Sequence, residues 1–140
     1  EDGRVFVFMS DGELEEGQTW EGIQAAVHYK LDNLVVYVDV NGMQYDGRTK
    51  DVMNIEPIDA RIEGFGATCV KVDGHNTEEL IKASFTPTEG KPLFVLCYTN
   101  PSQGIPELDY RKPKLHFVRF RDHELDTFKG ILEDMKKGVR

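Results

Sequence analysis

The apolar positions fall into two patterns that take turns along the chain. Val5–Met9, Leu34–Val40, Ala67–Val72 and Leu93–Tyr98 are short runs rich in Val, Phe and Leu. The first has no polar alternation and predicts a strand covered on both faces of a parallel sheet, and the others predict the strands beside it. Between the runs, apolar residues recur at helical spacing: Trp20, Ile23, Val27 and Leu31, then Ile58, Ile62 and Phe65, then Leu80, Ile81 and Phe85. These predict helices with an apolar side for packing, the third facing the sheet.

The punctuation agrees with that alternation. Ser10-Asp11-Gly12 ends the first strand, and Asp11, Glu13, Glu15 and Glu16 gather where a helix dipole favours negative charge. Gly64-Phe65-Gly66 closes the helix over Ile58–Phe65, and Asn76 or Thr77 caps the next, with Glu79 near its first turn. Strand, helix, strand, helix, strand, helix, strand is the order of an α/β fold, a doubly wound, mostly parallel sheet with helices on both faces. A right-handed crossover between the first two strands puts Asp11 and Asn41 at strand ends, the edge where open sheets bind ligands.

The intervening loops carry their own signals. Asn41–Asp51 is polar, with turns at Asn41-Gly42 and Asp46-Gly47, and suits a ligand site. Thr99–Leu115, with Pro101, Gly104, Pro106 and Pro113, predicts an irregular segment that is long for an idle connection. Beyond it, His116–Phe120 reads as strand-like. Leu125, Phe128, Leu132 and Met135 predict an amphipathic helix over Asp122–Lys137, ending at Gly138.

Composition narrows the function classes. With 140 residues and 39% hydrophobic content, residues 1–140 predict a single domain with one core. A formal net charge of −8 argues against nucleic-acid or anionic-membrane partners, which need clustered Lys and Arg. Cys69 and Cys97 each lie inside an apolar run, where a buried, reduced thiol is expected rather than a disulfide. Without a signal peptide or a membrane-length apolar run, a cytoplasmic location is expected. The polar lead-in Glu1–Arg4, with no initiator Met, points to an excerpt of something longer, a domain incomplete at its N-terminus.

SDG at Asp11 and VNG at Asn41, thirty positions apart, resemble the GDG…NN motif that binds thiamine diphosphate in the transketolase family. The likeness extends through DGELEEGQTWEGIQAAVHYKLDNL and VDVNGMQYDG. It implies a diphosphate-binding domain with thiamine diphosphate and Mg2+, or another divalent cation such as Ca2+, as cofactors. A diphosphate needs its charge offset by a cation and by backbone N–H groups at a helix start. By resemblance, Asp11 supplies a carboxylate oxygen to the metal, Asn41 an amide oxygen and Met43 its backbone carbonyl. Gly12 and Glu13 offer backbone N–H groups to the diphosphate, Gly12 because a Cβ there would block a phosphate. Glu16 matches a family glutamate in a carboxylate network across the subunit interface, and it reads equally as an exposed helix-start charge.

A second resemblance lies in GIPELDYRKPKLHF, similar to a bacterial transketolase stretch in which a loop beginning GIP leads to PKWH. There the histidine reaches the cofactor's diphosphate and the substrate. That makes His116 a candidate for both cofactor binding and catalysis, since an imidazole can pass protons at neutral pH. The other reading has His116 simply opening the strand-like segment. His28, Lys30 and His75 read as packing, surface or turn residues.

The resemblance implies a transketolase moving a two-carbon ketol unit from a ketose to an aldose, with sugar phosphates as substrates. It also implies a homo- or hetero-oligomer, in which a pyrimidine-binding domain or partner subunit completes the site. Ser10 and Val40 depart from the motif, YTNPSQG lacks the lysines of the family's KTVKGKG, and the family's earlier cofactor histidines are absent from this stretch. Two alternatives therefore stand beside transketolase: a non-catalytic subunit of the same fold, or another superfamily enzyme such as a decarboxylating synthase.

Overall fold

The structure, a computed structural model, describes residues 3–138; Glu1 and Asp2 of the lead-in lie outside them. In chain order the elements are β1 (Val5–Ser10), α1 (Gly17–His28), β2 (Leu34–Val40), a small antiparallel pair β3 (Met43–Gln44) and β4 (Gly47–Arg48), and α2 (Thr49–Val52). They continue with α3 (Ile58–Gly64), β5 (Thr68–Asp73), α4 (Thr77–Ala83), β6 (Leu93–Tyr98) and α5 (Asp122–Lys136). Short 3-10 helices occupy Asp11–Glu15 and Pro106–Arg111.

β1, β2, β6 and β5 lie side by side in that order, all parallel. The chain steps one way across the sheet from β1 to β2 to β5, then back to β6. With right-handed crossovers, that path puts α1 and α3 on one face and α4 on the other. The packing agrees. Ile23, Ile58 and Ile62 meet Val36, Val38, Phe94 and Leu96 on one face, while Leu80 and Ala83 meet Val35, Val95 and Cys97 on the other. Because alternate residues of β2 and β6 feed both clusters, these strands are apolar where they cross the core, and the charged Asp39 enters only near the end of β2. Each fully buried Val or Leu contributes roughly 1.5–3 kcal/mol before chain entropy is counted, and β2 and β6 place such residues in both clusters.

Several expectations about burial fail, for one shared reason. β1 is an edge strand among the described residues, not a strand covered on both faces: Phe6 and Phe8 are exposed, Phe8 by 77%. Among the described residues no helix covers them, so the apolar run that predicted double coverage stands open. α4 turns Leu80 and Ala83 inward, three residues apart, and leaves Ile81 and Phe85 58% and 72% exposed. In α5 the buried residue is Ile131, whereas Leu125, Leu132 and Met135 are exposed.

Boundaries differ in smaller ways. α1 stops at His28, so Leu31 falls outside it, and the inward positions are Ile23 and Ala26 with Trp20 and Val27 partly covered. Asp11, Glu13 and Glu15 belong to a separate 3-10 turn rather than to α1, joined to it by the Trp20 indole N–H donating to the Leu14 carbonyl at 2.8 Å. His116–Phe120 forms no strand, and the loop from Thr99 contains a 3-10 turn that Pro106 starts. The cysteines are free, Cys69 packed on one face of the sheet and Cys97 on the other. Burial pushes their thiols up, to about 12 for Cys69 and about 11 for Cys97, so both stay protonated and inert.

Candidate functional site

β1 and β2 stop side by side, Ser10 opposite Asp39, so the polar residues after them are neighbours in space. Asp11 is 1% exposed. Its Oδ2 accepts the Gly42 N–H at 2.7 Å, while its Oδ1 has no hydrogen-bond partner among the described residues. Asn41 is held at both ends: its Oδ1 accepts the Met43 N–H at 2.9 Å, and its amide group donates to Asp39 Oδ2 at 2.8 Å. The other Asp39 oxygen accepts the Thr99 hydroxyl, which ties the end of β6 into the same group. Asp11, Gly42, Asn41, Met43, Asp39 and Thr99 thus form one hydrogen-bonded cluster across three strand ends.

The electrostatics of that cluster are unbalanced. Burial pushes the Asp11 carboxyl up to about 6, with the charges of Asp39 and Glu15 adding to the rise and the Gly42 and Gly12 N–H groups opposing it. Glu15 is also raised, by burial first and then by Glu16 and Asp46, and its Oε1 has no hydrogen-bond partner among the described residues. A buried carboxylate with an orphaned oxygen is costly unless a cation joins it. Among the described residues no three His, Cys, Asp or Glu side chains gather in a metal-binding group. A cation at Asp11 would therefore draw on amide and carbonyl oxygens, from Asn41 and Met43, together with oxygens of a ligand. That all-oxygen set is what Mg2+ and Ca2+ prefer, so the residues present fit a hard divalent ion.

Gly12 is crowded on its protein side as well. A Cβ there would lie 3.2 Å from Gln44 Cβ in β3, so glycine lets the 3-10 turn and the β3–β4 pair approach each other. The Glu13 carboxylate closes back on the Ser10 N–H at 2.7 Å, and its carbonyl accepts the Thr19 hydroxyl at 2.6 Å. Glu16 is exposed at the extended joint between the 3-10 turn and α1.

Beside the cluster lies a cleft of about 520 Å³, with Asn41, Met43, Arg48, Lys50, Thr99 and Lys112 on its walls. Its far side is the segment after β6, and that segment is firmly built. The Asn100 N–H donates to His75 Nε2 at 2.8 Å, and Asn100 Oδ1 accepts from Lys112 Nζ at 2.8 Å and from the N–H of buried Ser102 at 3.3 Å. Ser102 also donates to Asp109. Further on, Arg111 makes a two-pronged bond to Glu124 at 2.7 and 2.6 Å, pinning both ends of the stretch that carries His116. His116 itself is exposed and off the cleft wall, its ring edge-on to Tyr45 at 5.8 Å between centroids, at the tip of the β3–β4 turn. Among the described residues no hydrogen bond joins it to Asp11 or Asn41.

Asp11, Gly12, Asn41 and Met43 therefore come together, while Glu16 and His116 stand further out. Sequence reasoning missed Asp39 and Thr99. Asp39 did leave a signal, being the one charged residue inside the apolar run LVVYVDV. His75 lies in the turn expected of it, and from there it accepts the N–H of Asn100.

Fold and site define an open parallel α/β domain whose polar side chains converge at the carboxyl ends of its strands. The family described as "Transketolase, thiamine diphosphate binding domain" matches residues 1–132. A transketolase family protein of Sinorhizobium fredii is 39% identical over 123 residues, covering 86% of this chain and 44% of the relative. One of the subunits of apulose-4-phosphate transketolase from Actinobacillus succinogenes is 35% identical over 130 residues, covering 87% and 47%. The crystal structure of Campylobacter jejuni transketolase superposes with a TM-score of 0.68 at 27% identity, over 76% of this chain and 17% of that one. The chain belongs to the transketolase family, through its thiamine diphosphate-binding domain. It spans less than half the length of the Sinorhizobium and Actinobacillus relatives. Among the described residues, no helix is long and apolar enough to cross a membrane.

Proposed function

We propose that residues 1–140 are the diphosphate- and cation-binding part of a transketolase that transfers a two-carbon ketol unit between sugars, with sugar phosphates as substrates. The observation that carries the reading is the orphaned Oδ1 of buried Asp11, hydrogen-bonded through its other oxygen to the loop that holds Asn41. Asp11, Asn41 and the Met43 carbonyl hold Mg2+, or Ca2+ in its place. Gly12 and Glu13 offer backbone N–H groups to the diphosphate at the start of the 3-10 turn. Thiamine diphosphate, when bound, supplies the electron sink for breaking and remaking the carbon–carbon bond beside the ketose carbonyl. His116, edge-on to Tyr45 at the rim of the site, would handle a proton on the sugar and offer a further contact to the diphosphate. Glu16, exposed beside α1, faces a partner across the interface. That partner is a pyrimidine-binding domain or subunit of the same enzyme, in a cytoplasmic homo- or hetero-oligomer. The Actinobacillus relative, named as one subunit of a transketolase, supports the split form of this arrangement.

The test is ketol transfer from a ketose phosphate by the complete gene product, supplied with any co-encoded pyrimidine-domain subunit. Transfer that needs both thiamine diphosphate and Mg2+ is expected, and its absence under those conditions would overturn the reading. His116→Ala should lower the rate at saturating cofactor by roughly a hundredfold, the scale of a removed acid-base group. A rate within a few-fold of wild type would reduce His116 to a structural residue.

A further inference from the structure

We infer that Asp39 is a positioning residue: it fixes which way the Asn41 amide points, and so presents the oxygen of Asn41, rather than its NH2 group, to the cation site. The inference rests on the proposed reading of Asp11 and Asn41 as cation ligands.

Both Asp39 oxygens accept hydrogen bonds, one from the Thr99 hydroxyl and the other from Asn41 Nδ2 at 2.8 Å, so the Asn41 atom that faces Asp39 is the nitrogen. The oxygen is thereby turned to the opposite side, where it accepts the Met43 N–H at 2.9 Å with one lone pair and keeps another free. A reversed amide would aim NH2 hydrogens at the cation and leave two acceptors, Asp39 Oδ2 and the amide oxygen, face to face. Asp39 in turn is kept from swinging away by the Thr99 hydroxyl at the end of β6. The relay Thr99 to Asp39 to Asn41 therefore converts the pairing of β2 with β6 into the orientation of one amide. It also accounts for a charged residue inside the run LVVYVDV, where packing alone would place an apolar one. Partners that orient a metal ligand in this way commonly hold a tenfold to hundredfold share of metal affinity.

The experiment titrates the complete protein, stripped of metal and supplied with thiamine diphosphate, with Mn2+, and reads free Mn2+ by electron paramagnetic resonance. Circular dichroism and thermal melting report folding for every variant. Asp39→Ala should lose tenfold or more in Mn2+ affinity. Asp39→Asn should stay within about threefold of wild type, because its amide oxygen can still accept from Asn41 while its NH2 turns to the Thr99 oxygen. Thr99→Val should fall between the two. If Asp39→Asn loses as much as Asp39→Ala, Asp39 acts through its charge and the inference fails. If folded Asp39→Ala binds Mn2+ like wild type, it fails as well. Asp11→Ala and Asn41→Ala run beside them as controls, and wild-type affinity in those two would sink the ligand assignment itself, a separate outcome.

Discussion

At the scale of single residues, buried Asp11 carries a cost that a bound cation would offset. Asp11 is buried with one oxygen unmatched, and its carboxyl is raised from 3.8 to about 6. The sign of the linkage follows directly. Below pH 4 the group is protonated in both folded and unfolded chains and costs nothing. Between 4 and 6 the unfolded chain releases the proton first, and above 6 the folded state must hold a buried charge. Metal-free protein therefore loses stability as pH rises through that window, on the order of 3 kcal/mol. Urea unfolding in chelator at pH 4.5 and 7.5, compared with Asp11→Asn, checks this. Wild type should fall relative to the variant at the higher pH, and parallel behaviour would show that Asp11 carries no such cost.

At the scale of elements, loop approach matters as much as strand pairing. Gly74 follows β5 and donates its N–H to the Tyr98 carbonyl at 2.9 Å. A Cβ at that position would collide with the Thr99 side chain and stand 3.1 Å from the Tyr98 carbonyl oxygen. Gly74→Ala should therefore cost about 1–3 kcal/mol, an overpacking penalty against backbone that cannot move freely. Equilibrium unfolding in urea measures it, with an unchanged slope expected, and a loss below a few tenths of a kcal/mol would mean that the β5 and β6 ends can part cheaply. Elements are also where the sequence reads most clearly. Apolar runs and helical spacing locate every strand of the sheet, most plainly β2 and β6, which are buried on both faces and apolar where they cross the core. Strand-end placement of Asp11 and Asn41 follows from crossover handedness. The Thr99–Asp39–Asn41 relay does not, since its links span sixty residues and depend on register. Nor does the exposure of Phe8, Ile81 and Phe85, because an apolar residue does not disclose whether anything covers it.

At the scale of the whole molecule, the apolar surface is unevenly closed. Phe6 and Phe8 on β1, together with Phe85 after α4, stand open, with Arg4 set against both Phe6 and Phe85. Leu132 and Met135 open a second face on α5. Surfaces of this kind associate. Sedimentation velocity across a concentration series should show particles heavier than one 16.0 kDa chain, with Phe8→Lys shifting them downward. A compact monomer at all concentrations would count against a site shared between subunits.

Everything proposed for this molecule depends on the strand ends of β1 and β2 holding a cation and, through it, a diphosphate. Calorimetric titration of the complete protein with thiamine diphosphate, with and without Mg2+, reads that dependence without an activity assay. Binding should require the metal, and Asp11→Ala and Asn41→Ala should each abolish it while leaving the melting transition in place. Wild-type affinity in either folded variant, or binding indifferent to Mg2+, would show that these strand ends are not a cation site.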